Sequence, residues 1–310
     1  MDLSNINPIL LVASIMISAT PILLAAIGEM VVEKSGVLNL GVEGMMITGA
    51  VIGFIVAINT GAPLLGFAMA ALAGALLSLA FGVLTQVFLS NQVATGLGLT
   101  LLGLGLSSLL GKPYEGMKAE TLPKLDIPLL GDLPVVGRML FSHDIMVYLS
   151  LCIVVAVWAF LKYTRAGLIL RAVGESHDSA HALGYKVIRV RLLAIMFGGA
   201  CAGLGGAYLS LVRVPQWTEG MTAGAGWIAL AIVVFASWRA GRVLIGAYLF
   251  GGISVLQLNL QAAGLTWGVQ YLSMSPYLIT ILVLVFISSN RSRSSHDAPA
   301  NLGQTFHATR

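Results

Sequence analysis

The chain has 310 residues, of which 57% are apolar and only 10% charged, with a mean hydropathy of +0.92 and a formal net charge of +4. Soluble domains carry roughly 25% charged residues, so the composition excludes an ordinary globular enzyme and points to an integral membrane protein. The positive balance calls for no nucleic-acid partner, because the basic residues collect at the ends of apolar runs, and Cys152 and Cys201 lie inside such runs as buried thiols with no CxxC spacing.

Segments that qualify as spans are 9–27, 37–58, 62–89, 93–110, 145–161, 192–212, 226–238, 243–262 and 275–289. The fold class is therefore all-α, a polytopic transmembrane bundle of about nine spans (eight to ten), since a span needs about 20 predominantly apolar residues. The run 226–238 is short, and 62–89 is long enough to tilt or bend. Residues 1–290 form one transmembrane domain, and the polar tail 291–310 is expected to be disordered.

The second span begins irregularly. In 28–49, GEMVVEKSGVLNLGVEGMMITG, polar residues Glu29, Glu33, Lys34, Asn39 and Glu43 interrupt the apolar pattern among closely spaced glycines. Charges in a membrane are costly and face a bundle interior or cavity, and irregular backbone survives there only when buried or lining water. A broken second span that lines a permeation path is expected, with Asn39 and Glu43, four apart, on one helical face. The alternative is a packing seam with its carboxylates at the interface.

The fourth span opens with Asn91, Gln92 and Thr95, followed by Gly96, Gly98, Gly103 and Gly105. No strand precedes these glycines, so a dinucleotide loop is excluded. Close helix packing is the first reading and a share in the solute path the second. Residues 198–207, GGACAGLGGA, read the same way, with Gly199 and Gly203 at small-xxx-small spacing.

Loop 111–144 is rich in Pro and Gly and too long for a plain connector. It is expected to be an outer cap or docking surface. Basic residues set the orientation: Lys34, Lys162, Arg165, Arg171, Lys186, Arg189, Arg191, Arg239, Arg242, Arg291, Arg293 and Arg310 fall inside, against Lys112, Lys118, Lys124, Arg138 and Arg213 outside. The C-terminus is then cytoplasmic.

Loop 162–191 is basic and cytoplasmic and carries a short helix candidate bracketed by Gly174 and Gly184. Ser176 suits an N-cap with Ser179 at the third helical position. Glu175 and Asp178 sit at the positive end of the helix dipole, Ala180 and Leu183 form a small apolar face, and Gly184 suits a C-terminal cap. His177 and His181 have zinc-ligand spacing but no third ligand, so no metal is expected. No P-loop, HExxH or Ser-His-Asp set appears, so no enzyme chemistry and no cofactor is assigned to this chain.

Three segments, SGVLNLGVEGMMITGA (35–50), IPLLGDLPVVGRMLF (127–141) and RAVGESHDSAHALGYKV (171–187), resemble the permease subunits of bacterial ABC importers. The branch is that of simple sugars and nucleosides, related to ribose and branched-chain amino-acid permeases, and the resemblance runs from about residue 10 to 290. It implies a permease in the bacterial plasma (inner) membrane, surrounded by lipid and paired with a second permease subunit as a heterodimer. Two cytoplasmic ATPase subunits bind ATP and magnesium, and a binding lipoprotein or periplasmic protein delivers solute. It also implies a coupling helix that seats in the ATPase, mapping onto Gly174, Glu175, Ser176, Ala180 and Gly184. Relatives carry Asn-Pro where this chain has Ser176 and His177. The wording of 33–46 is closer to the nucleoside than the ribose branch. The competing class is a self-sufficient secondary carrier, which would need ion sites near the midplane and inverted repeats; no repeat relates 9–110 to 145–262.

Overall fold

The structure is a computed structural model that describes residues 8–125, 141–262, 298–307 and some positions between 271 and 285. Among these residues every named element is helical. The helices are α1 (Pro8–Lys34), α2 (Val42–Thr60), α3 (Pro63–Gln86), α4 (Gln92–Gly111), α5 (Ile145–Tyr163), α6 (Arg165–Glu175), α7 (His177–Ala182), α8 (Val187–Tyr208), α9 (Ala225–Phe235) and α10 (Ala240–Ala262). A wide π-type turn, Leu209–Arg213, extends α8. Seven of these helices are long and apolar enough to cross a membrane.

α8 is the centre of the bundle, packed against α1, α2 and α3. Its small residues make this possible. A Cβ on Gly203 would strike the backbone of Ala70, one on Gly199 the Ser78 side chain and the Gly74 carbonyl, and one on Gly206 the Met46 carbonyl. Close packing replaces the missing hydrophobic drive between helices in lipid. In α4, Gly103 lies against the backbone of Gly44 and Gly96 against Leu40 and Gly41, whereas Gly98 and Gly105 face open space. The packing reading of the α4 glycines therefore holds for one face only.

Several expectations change. The expected span 226–238 is the eleven-residue α9, about 16 Å long at 1.5 Å per residue, against a hydrocarbon core of about 30 Å. Segment 214–224 before it is irregular. Cys201 is buried as expected, but Cys152 is exposed, because α5 sits at the periphery. Of the expected span 275–289, residues 275–279, 281, 282 and 285 are described and helical and the others lie outside the described residues, as does the middle of loop 111–144, residues 126–140. Residues 112–125 of that loop turn back onto the bundle, where Ala119 N–H donates to the Pro215 carbonyl. The tail is not wholly disordered: residues 298–307 are folded against loop 162–191, because Phe306 is buried there with Val173, Ala180 and Val187.

Candidate functional site

The break before the second span is a designed junction. α1 ends at Lys34, Gly36 takes a left-handed φ of +88°, and α2 starts only at Val42. The backbone groups of 35–41 find partners on other elements, as buried polar groups must. Leu38 N–H donates to Gln92 Oε1 (2.8 Å), the Leu40 carbonyl accepts from Thr100 Oγ1 (3.2 Å), and Asn39 N–H donates to Glu29 Oε1 (3.3 Å). Asn39 also accepts from Gly41 N–H through its own Oδ1 (2.9 Å). That local turn competes with helix, so Asn39 lies outside α2 and does not share a helical face with Glu43.

Glu43 does something else. Its Oε1 accepts from Thr222 Oγ1 (2.5 Å) and Gly224 N–H (2.9 Å), and its Oε2 accepts from Gly226 N–H (2.6 Å). Gly224, the N-cap of α9, has no side chain to cap with. The first amides of a helix have no internal partner and carry partial positive charge, so a carboxylate from α2 caps α9 across the bundle. Only glycine fits at 226, where a Cβ would meet the Glu43 backbone nitrogen at 2.5 Å.

Above this junction lies a cavity of about 400 Å³ between α1, the 209–224 segment, α9 and α10, lined among others by Pro21, Arg213, Thr218, Thr222, Ser254, Gln257 and Tyr277. Its size falls in the range of small-molecule sites. Thr222 belongs to both the cavity wall and the Glu43 network. Of the sequence-predicted path residues, none lines this cavity. Asn91 is the exposed N-cap of α4, accepting from Ala94 N–H, Thr95 bonds Ser90, and Gln92 holds the 35–41 segment. The cavity residues were missed, although Ser254 and Gln257, three apart in the apolar run 243–262, are a legible signal for a polar helical face.

Loop 162–191 folds as expected from its caps. Ser176 Oγ accepts from Ser179 N–H (3.3 Å). Gly184, at φ +87°, closes α7 with a bond to the His181 carbonyl while Tyr185 N–H reaches the Ala180 carbonyl, the paired bonds of a glycine-terminated helix. Glu175 ends α6 rather than opening α7, and Gly174 packs against the Lys34 carbonyl at the end of α1. His177 and Ala180 face inward, while Asp178, Ser179, Ala182 and Leu183 are exposed. No group of three His, Cys, Asp or Glu side chains that could hold a metal occurs among the described residues.

Arg191 links the two regions. It is fully buried and donates to the Ser35 carbonyl (Nε, 3.2 Å), to Gln86 Oε1 (Nη1, 3.1 Å) and to the Gln304 carbonyl (Nη1, 3.1 Å), with Nη2 3.3 Å from His177 Nδ1. The orientation rule counted Arg191 as one more cytoplasmic cation. Its fork of donors instead ties α7 to the turn that opens the 35–41 break.

The family described as branched-chain amino acid transport system / permease component matches residues 11–287. The chain belongs to this family. A putative glucose ABC transporter permease protein of Haloferax volcanii is 42% identical to this permease over 87% of this chain and 88% of its own. The guanosine ABC transporter permease protein of Bacillus subtilis is 34% identical over 92% and 93%, and the nucleoside ABC transporter permease protein of Lactococcus lactis is 29% identical over 89% and 91%. No solved structure matches the chain. The chain is a multi-pass membrane protein and a permease subunit of an ABC importer.

Proposed function

We propose that this permease carries a nucleoside or simple sugar, with the cavity bounded by Arg213, Thr222, Ser254 and Gln257 as the solute's resting place in the membrane. The supporting observation is that cavity: hydroxyl, amide and guanidinium groups converge in an otherwise apolar bundle, the chemistry that suits an uncharged polyol or base. The relatives' named substrates, glucose, guanosine and nucleosides, are of the same kind. Asn39, Gln92 and Glu43 then hold the junction beneath the path, and Asn91 and Thr95 hold the start of α4.

The chain crosses the plasma membrane nine times. The seventh crossing is made by irregular segment 214–224 together with α9: Trp217 bonds Ser107 near the outer end of α4, and Trp238 bonds Glu33 near the inner end of α1. The irregular half lines the cavity, the circumstance in which such backbone is tolerated. Exposed leucines such as Leu72, Leu76, Leu101 and Leu109 meet lipid or a second, non-identical permease subunit. An extracytoplasmic binding protein delivers solute to the outer loop 111–144. A cytoplasmic ATPase, which binds the ATP and magnesium, docks on α7 and its flanks, Gly174 to Gly184.

Reconstitution tests this. Proteoliposomes with the ATPase, second permease and binding protein should take up solute only with ATP. Ser254→Ala with Gln257→Ala should raise the half-saturating concentration about ten-fold, as loss of one or two hydrogen bonds predicts. Uptake by this chain alone under a proton gradient, or an unchanged concentration dependence in the double variant, would sink the proposal.

A further inference from the structure

The six-residue α7 is too short to hold its shape alone, and what it rests on is the chain's own C-terminal segment. Phe306 is 4% exposed and sits 5.3 Å from the rings of both His177 and His181, over Val173, Ala180 and Val187. Phe306 is the largest of the buried side chains in that cluster, which Ile169, Ile188 and Val190 flank. The segment is also pinned by its backbone at three places. Asn301 N–H donates to the Gly174 carbonyl (3.0 Å), Gly303 N–H to the Gly36 carbonyl (3.1 Å), and the Gln304 carbonyl accepts from Arg191. These bonds join α6, the opening of the 35–41 break and α8. The tail thus lies behind α7 and leaves the outward face free, where Leu183 is 76% exposed, and Tyr185 and the cations Arg171, Lys186 and Arg189 of the same loop are exposed as well.

We propose that residues 298–307 are the seat of the coupling helix, so that the ATPase meets a composite surface in which the tail transmits displacement of α7 to Arg191 and the Ser35–Gly41 junction. The matching partner surface is an apolar groove that receives Leu183, with carboxylates at its rim to register the cations. A push on α7 that compressed a soft cluster would be absorbed; an aromatic ring packed at interior density passes it on. The inference rests on the proposed docking of the ATPase at α7.

The test separates the two. In a Cys152→Ala, Cys201→Ala background, Leu183→Cys should cross-link to the ATPase in the assembled importer; absence of that product sinks the docking reading alone. Phe306→Ala should keep the cross-link yet lower the solute transported per ATP hydrolysed several-fold, and Phe306→Leu should recover most of the loss. An unchanged ratio in Phe306→Ala and in a chain ended after residue 297 overturns the proposal, and so does faster transport on truncation, which would make the tail a brake. If Phe306→Ala does not assemble, the isolated permease decides. Ala180→Cys, buried behind Phe306, should then react with an aqueous thiol reagent about ten-fold faster in the Phe306→Ala background, a shift of about 1.4 kcal/mol; equal rates overturn the proposal.

Discussion

Glutamine in place of Glu43 asks whether this carboxylate braces the cavity wall or touches solute. The two side chains have the same shape, so packing is preserved. The carboxylate accepts from three donors, Thr222 Oγ1, Gly224 N–H and Gly226 N–H, and a glutamine turned to satisfy the first two presents its own N–H₂ to Gly226. One buried amide then loses its partner, at about 1–3 kcal/mol, and two bonds to a charged group become bonds to a neutral one, at about 1 kcal/mol each. Removing the negative charge from the N-terminus of α9 adds about 0.3–1 kcal/mol. The total is about 3–6 kcal/mol, concentrated in segment 222–226. Hydrogen exchange at the Gly224 and Gly226 amides should accelerate by at least about 100-fold, the equivalent of about 2.7 kcal/mol. Unaltered exchange at both amides, together with a raised half-saturating solute concentration, would refute the bracing argument and make Glu43 a solute contact.

The two faces of α4 make a second contrast. Gly103→Ala drives a methyl into the Gly44 backbone, with contacts of 2.5, 2.8 and 2.9 Å that backbone atoms cannot yield, and should cost about 1–3 kcal/mol. Gly98→Ala meets nothing within 4 Å and should be neutral or stabilising by up to about 1 kcal/mol through helix propensity; denaturation midpoints in detergent check both, and equal midpoints would refute the seam. A third prediction concerns pH. Burial first, and then the Arg191 guanidinium and His307, lower His177 from its usual 6.5, against a raising effect from Asp178. A lowered folded value means that tail docking is fully stable above pH 6.5 and weakens as pH falls from there toward the folded value, because the released loop takes up a proton that the docked one resists. Protection of the Asn301 and Gly303 amides, corrected for intrinsic exchange, should therefore fall below pH 6.5 and become pH-independent in His177→Asn; protection that rises on acidification would reverse the sign.

The amino-acid sequence by itself determined the class of protein, most of its spans and the local form of loop 162–191. These depend on quantities that add along the chain: twenty-residue runs of apolar side chains, or a serine three residues before an unpaired amide and a glycine where φ must be positive. Ser176, Ser179 and Gly184 were legible for that reason. The tertiary structure decided what the polar residues in the membrane do. Glu43 was read with Asn39 because they are four apart, yet its partners lie at 222–226, and Asn39 turns back on Gly41 and Glu29 instead. Arg191 was one cation among many until Ser35, Gln86, His177 and Gln304 converged on it. The tail was assigned to solvent on composition, although one phenylalanine and three backbone bonds hold residues 298–307 in place. The physical reason is common to all three. Leaving a buried charge or donor without a partner costs several kcal/mol, so each must find one. Sequence spacing identifies that partner only when it lies within a turn or two; beyond that distance the folding of the whole bundle selects it.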